Sequence, residues 1–174
     1  MQMILNESLF YLPPSEISAF GQDNLTYGSL TRKGLKTMAE VIRKYVKGCV
    51  YGFDLGCGDG ELIYNLQEEL EGSRWEGVEI SEHRVSMQTR DVCIWQGDML
   101  LENFRPYNVL HADNLCLTEA IADRLEEKIA VEFRGLYITY RYPQNIKFLK
   151  SSLYIDTVVT ETTWTRHPIH LFMV

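Results

Sequence analysis

Val50-Tyr-Gly-Phe-Asp-Leu-Gly-Cys-Gly-Asp-Gly60 decides how this chain is read: an apolar strand runs into Asp54 and then into glycines at 56, 58 and 60. Alternating glycines let the backbone turn tightly, bring its N–H groups close to a ligand and enter a helix. That helix is expected over 61–71, apolar at Leu62, Ile63, Leu66 and Leu70 and stopped by Gly72. A dinucleotide fingerprint, Gly-x-Gly-x-x-Gly, started at Gly56 places Glu61 where the third glycine belongs. This counts against a nicotinamide enzyme. The pattern Asp-x-Gly-x-Gly-x-Gly fits Asp54 to Gly60 at every position.

The second pattern resembles motif I of the class I S-adenosylmethionine (SAM) methyltransferases. SAM carries no phosphate, so the resemblance implies a loop facing its methionine and ribose part, with Asp54 near that end. Glycine-rich turns also close ordinary βα units, so the flanking segments matter. Residues 74–80 make a second strand with Glu79 at its tip, where α/β nucleotide folds place a carboxylate for both ribose hydroxyls. Ser81 is expected to cap a helix over 82–90, and Val92–Trp95 forms a third strand leading to Gly97-Asp98-Met99. By resemblance to SAM enzymes, Asp98 reaches the adenine amino group and Met99 stacks on the ring.

Upstream, a helix from Thr31 to Lys47 presents one apolar face through Leu35, Met38, Ala39, Ile42, Tyr45 and Val46. Downstream, 107–113 is a fourth strand ending in Asp113-Asn114, Thr118 caps a helix over 119–133, and 136–140 is a fifth strand. Residues 153–163 and 167–174 alternate as an antiparallel pair. The expected architecture is α/β: a Rossmann-like, seven-stranded, mostly parallel sheet with helices on both faces and a C-terminal antiparallel hairpin. It forms one domain over 1–174, with 1–30 as a cap and 31–174 as the core. The ligand should sit at the carboxyl ends of strands one, two and four.

A chain of 174 residues, 45% apolar and 24% charged, suits such a domain. The net charge of −7 and the lack of a basic run disfavour autonomous binding to nucleic acid. Cysteines 49, 57, 93 and 116 form no Cys-x-x-Cys, and the histidines lack ligand spacing with them, so reduced thiols and no metal are expected. Cys93 and Cys116 are expected in the core. With no signal-like N-terminus and no run of ~18 apolar residues, an intracellular, cytoplasmic or nuclear setting without a membrane span is expected.

Several segments together resemble the non-SET protein-lysine methyltransferases, namely the disruptor-of-telomeric-silencing histone methyltransferases and their compact archaeal relatives. They are Thr26-Tyr27-Gly28, Asp54 to Gly60, Gly77-Val78-Glu79, Gly97-Asp98, Asp113-Asn114, Ala122 to Lys128, and Thr163-Trp164-Thr165 with Pro168. The resemblance implies that Tyr27 closes over SAM, that Asp54, Gly56, Gly58 and Glu61 line its methionine and ribose side, and that Glu79, Asp98 and Met99 hold the rest. It further implies that Asp113, Asn114 and Trp164 serve the methyl group and a lysine channel, with S-adenosylhomocysteine as product and a basic protein such as a histone as partner. Leu115, Leu171 and Trp164 are the expected channel walls. The chain departs from that pattern at Asp113, Leu115 and Leu171, all on the substrate side. A small-molecule or RNA methyltransferase and a non-catalytic SAM-binding module therefore stand beside the lysine reading.

Overall fold

The structure is a computed structural model that describes residues 7–174. In chain order the elements are α1 (Pro14–Phe20), α2 (Arg32–Tyr45), β1 (Tyr51–Leu55), α3 (Glu61–Glu69), β2 (Arg74–Glu79), α4 (Glu82–Ser86) and β3 (Cys93–Gln96). They continue with β4 (Val109–Ala112), α5 (Glu119–Glu132), β5 (Leu136–Thr139), α6 (Ile146–Ser151), β6 (Leu153–Glu161) and β7 (Arg166–Met173). The strands make one seven-stranded sheet in the order β3-β2-β1-β4-β5-β7-β6. The pairs from β3 to β5 are parallel; β7 runs antiparallel to β5 and β6. Strand β1 touches β2 on one side and β4 on the other, so the strand order reverses there and a crevice opens at their carboxyl ends.

Side chains alternate across the sheet and serve two cores. Met38, Ile42, Ile63, Leu66, Ile138 and Leu171 pack on the face covered by α2 and α3. Phe53, Leu110, Leu125, Ile129, Phe133 and Phe172 pack on the opposite face, under α5. Phe53 to Ala in such a core costs about 3–5 kcal/mol. Asp54, between Phe53 and Leu55, and His111, between Leu110 and Ala112, therefore turn toward the α2/α3 side.

Thr31 caps α2, its hydroxyl accepting from Gly34 N at 3.2 Å, and the chain leaves helical geometry at Val46. Several elements differ from expectation. Helix α4 ends at Ser86 instead of 90, because the Gln88 side-chain amide donates to the carbonyls of Arg90 and Val92 and draws the chain into β3. Thr118 makes no side-chain cap; its N–H donates to Asn24 Oδ1 at 2.9 Å. Helix α6 has no counterpart among the expected elements and is capped by Asn145, whose Oδ1 accepts from Phe148 N. Cys93 and Cys116 are exposed, not core, since one opens an outer strand and the other lies in the turn after β4. Leu171 is fully buried between β5 and β6 in register with Ile138, which removes it from any channel wall. No described helix is long and apolar enough to cross a membrane.

Candidate active site

The loop after β1 is shaped by its glycines. Gly56, Gly58 and Gly60 all have positive φ, at 86°, 58° and 83°, a region that costs other residues about 1–2 kcal/mol. The N–H groups of Gly56 and Cys57 both donate to Val78 O on β2, at 2.8 and 3.0 Å. Gly58 N donates to Glu79 Oε2 at 3.0 Å, and Ser81 N to Oε1 at 2.9 Å. Glu79 is thus fixed by the two loops that flank it. Burial pushes its carboxyl up, while Arg84 and the two N–H donors pull it back toward the charged form. A Cβ on Gly58 would lie 2.4 Å from Tyr27 Cε2, so the cap residue rests directly on the glycine loop.

Above these strand ends lies a cavity of about 280 Å³. Glu79, Asp98, Met99, Gly56, Asp113 and Tyr27 are among its lining residues. Asp98 Oδ1 accepts from Leu100 N at 2.8 Å, which turns the chain into a short 3-10 segment and carries Met99 to the cavity. A carboxylate at the tip of β2, an acid and a thioether after β3, and glycine backbone after β1 form a donor and acceptor set that fits SAM. Among the described residues no group of three or more His, Cys, Asp or Glu side chains could hold a metal ion.

A second, much smaller cavity of about 20 Å³ continues inward. Tyr27, Gly28, Gly56 and Asp113 line both. Asp54, Cys57, His111 and Tyr140 are among the other residues that line the inner one. Asp54 Oδ1 lies 2.7 Å from His111 Nδ1, both side chains are buried, and His111 Nε2 is buried without a hydrogen-bond partner. Burial pushes the Asp113 carboxyl up, His111 opposes this, and Asp54 adds to it. Burial likewise raises the Tyr140 phenol and the Cys57 thiol, with Asp113 and Asp54 contributing to the first and Asp54 and Glu79 to the second. Both stay protonated.

The remaining expected site residues lie elsewhere. Glu61 lines neither cavity; Arg90 holds its carboxylate, with Nε 3.1 Å from Oε2. Asn114 borders the outer cavity, yet its Oδ1 accepts from Thr139 Oγ1, Tyr140 N and Arg141 N at 3.0, 3.2 and 3.0 Å. Its oxygen therefore ties the end of β4 to the end of β5. Trp164 is half exposed at the β6–β7 tip, lines neither cavity, and packs on Gly28, where a Cβ would come within 2.1 Å of its ring. The hairpin tip clamps the cap, with Thr163 N donating to Ser29 O at 2.9 Å.

Three residues at the site escape a reading of the sequence alone. His111 leaves a signal, a lone imidazole inside the apolar run Val109-Leu-His-Ala112. Arg84 looks like an ordinary surface charge of a short helix. Glu16 leaves no signal, although its carboxylate accepts from Ser81 Oγ at 2.6 Å and from His83 N at 3.1 Å and so docks α1 on the start of α4.

The sheet order, the glycine loop and the crevice with its acid at the tip of β2 define a class I SAM-dependent methyltransferase fold. Solved structures share it. A protein from Listeria monocytogenes described as a SAM-dependent methyltransferase is 14% identical with a TM-score of 0.56, the alignment covering 80% of this chain and 97% of that one. The geranyl diphosphate C-methyltransferase of Streptomyces coelicolor A3(2), solved with Mg2+, geranyl diphosphate and S-adenosyl-L-homocysteine, is 14% identical with a TM-score of 0.56, covering 79% and 78%. DesVI of Streptomyces venezuelae is 17% identical with a TM-score of 0.51 and covers 64% of this chain; the chain spans about half of DesVI, 52%. At such identities the likeness concerns the fold. No curated protein matches the sequence. Residues 36–134, more than half of the chain, match the family of the methionine biosynthesis protein MetW, and the chain belongs to that family. None of these three structures is described as a protein-lysine methyltransferase.

Proposed function

We propose that this chain is a SAM-dependent methyltransferase whose acceptor is a small molecule. The observation that carries the cofactor is Glu79: a buried carboxylate fixed from two loops at the tip of β2, facing a cavity that also holds Asp98 and Met99. A carboxylate held this way accepts paired hydroxyl donors with little loss of side-chain freedom. Bound SAM supplies an electrophilic methyl group on a sulfonium, and the protein's part is alignment and exclusion of water. Tyr27 and Gly28 from the cap close the inner end of the cleft.

The acceptor side supports a small molecule. Leu171 is a core residue and Trp164 packs on Gly28, so two of the three expected walls of a lysine channel are used elsewhere. The inner cavity of about 20 Å³ has room for little more than one water-sized group, and the family name belongs to small-molecule biosynthesis. A second reading, methylation of lysine on a basic protein such as a histone, is favoured by the acids Asp54 and Asp113 at that cavity and by the net charge of −7.

Calorimetry with SAM and S-adenosylhomocysteine tests the cofactor. Methyl-labelled SAM offered in parallel to a protein-free metabolite extract and to histones and whole-cell protein tests the acceptor. Label in a metabolite establishes the first reading; label on protein lysine alone replaces it with the second.

A further inference from the structure

We propose that residues 10–24 form a flap through which the cofactor is exchanged, and that Glu16 is the positioning residue that latches it shut. This inference rests on the methyltransferase reading above and adds to it a route of entry and a residue that sets the rate of exchange.

The flap is defined by its anchors. Leu9 and Leu25 are both buried, each 2% exposed, and both present their carbonyls to the Arg84 guanidinium. None of residues 10–24 between them is buried. A surface excursion whose ends meet on one side chain, and which places no residue in the core, opens at lower cost than the sheet beneath it. Gly21, which ends α1 with a φ of 80°, is a residue whose backbone can absorb such a movement. Yet this weakly held segment walls the cofactor cleft. Ala19, Phe20 and Asn24 line the outer cavity together with Glu79, Asp98 and Met99.

Polar ties, not burial, hold the flap down. Asn24 Oδ1 accepts from Thr118 N at 2.9 Å, next to the Leu25 anchor. Glu16, midway between the anchors in sequence, accepts from Ser81 Oγ at 2.6 Å and from His83 N at 3.1 Å, one donor on each carboxylate oxygen. Hydrogen bonds to a charged group are about twice as strong as neutral ones, so the Glu16 contact decides whether α1 stays closed. Ser81 joins this latch to the proposed ribose carboxylate: it is buried, its N–H donates to Glu79 Oε1 at 2.9 Å, and its hydroxyl donates to Glu16. When Glu16 lets go, Glu79 is still held by Gly58 N, Ser81 N and Arg84. The flap therefore opens without dismantling the ribose site.

The test compares wild type with Glu16→Ala and Glu16→Gln in the full chain, with S-adenosylhomocysteine as the probe. Stopped-flow displacement by excess SAM gives its dissociation rate, and hydrogen exchange read by mass spectrometry gives the opening of residues 10–24. In wild type those amides should exchange faster than the sheet strands and should slow when S-adenosylhomocysteine binds. E16A should raise the dissociation rate ~10-fold or more, with exchange in the sheet strands unchanged. E16Q keeps one oxygen for one of the two donors, so its rate should fall between, and it carries the comparison alone if E16A does not fold. A merely structural role would lower the urea midpoint and leave dissociation as it is. Unchanged dissociation in the folded variants, or exchange across 10–24 that S-adenosylhomocysteine fails to slow, would overturn the latch and leave the methyltransferase reading standing. Absence of any S-adenosylhomocysteine binding by wild type overturns the methyltransferase reading itself, and the flap's role with it.

Discussion

Arg84 holds Glu79 from behind: its Nη1 lies 3.8 Å from Glu79 Oε1, both side chains are buried, and the same guanidinium donates to Leu9 O at 3.1 Å and to Leu25 O. One side chain thus balances the proposed ribose carboxylate and fastens the cap that covers it. The Tyr27 ring lies against the guanidinium, 5.1 Å away. Cap position and cofactor affinity are therefore coupled through a single residue.

Arg84→Met should uncouple them. Removing one partner of a buried pair leaves the other uncompensated, at about 3–5 kcal/mol. The sign with pH follows from Glu79, whose carboxyl burial already raises. A raised carboxyl favours the fold below its ordinary value of about 4.3, and that contribution is lost as pH rises through the folded value. Without Arg84 the folded value climbs further, so R84M should lose more stability at pH 7 than at pH 4. The acid limb of S-adenosylhomocysteine affinity should move to higher pH. Urea melts at both values and calorimetry from pH 5 to 8 check this; equal loss at both pH values would remove the electrostatic role.

Gly58 should tolerate no side chain. Its φ of 58° and the closeness of the Tyr27 ring, 2.4 Å from where a Cβ would stand, act together in Gly58→Ala. The backbone alone costs about 1–2 kcal/mol. Displacement of Tyr27 should weaken S-adenosylhomocysteine binding beyond that, by roughly tenfold for each 1.4 kcal/mol of added strain. Tyr27→Ala in the G58A background should recover part of the stability, since it removes the clash and leaves only the φ penalty. Urea melts of the single and double variants, with calorimetry on each, check both effects.

Asp113 carries the opposite sign of usefulness. Its carboxyl is pushed up mainly by burial, so ionisation at neutral pH works against folding. Asp113→Asn should raise Tm at pH 7 by roughly 2–4 °C, the shift that about 1 kcal/mol gives in a domain of this size. The gain should shrink as pH falls through the raised folded value of that carboxyl. Stability gained with transfer lost is the pattern expected of a residue kept for function.

The parts of the site that can be read in the sequence are those where local backbone chemistry sets the outcome. Alternating glycines after Asp54 announce the loop, and an acid closing the next strand announces Glu79, because strand, turn and helix there are contiguous. What stays hidden depends on segments far apart in the chain. Arg84 becomes buried only because Leu9 and Leu25 return over it, 75 and 59 residues away in sequence. His111 acquires meaning only beside Asp54, once β1 and β4 pair in register. Resemblance places Trp164 and Leu171 near an acceptor channel, but the hairpin register turns one onto Gly28 and the other into the sheet core.

Asn114 supplies a final separation of structure from chemistry. Its Oδ1 collects three donors from Thr139, Tyr140 and Arg141, and its Nδ2 points to Tyr137 Oη at 3.4 Å. A carboxylate could accept the same three donors, but an alanine could not, and buried N–H groups left unpaired cost about 1–3 kcal/mol each. Asn114→Ala should therefore lower the unfolding free energy by about 2 kcal/mol or more, whereas Asn114→Asp should lose less. Because Tyr140 borders the inner cavity, N114A should also loosen that wall and raise the acceptor's KM more than it lowers kcat. A large fall in kcat with unchanged stability and KM would instead place Asn114 against the reacting atoms. Urea titration with steady-state transfer on the same preparations distinguishes the two.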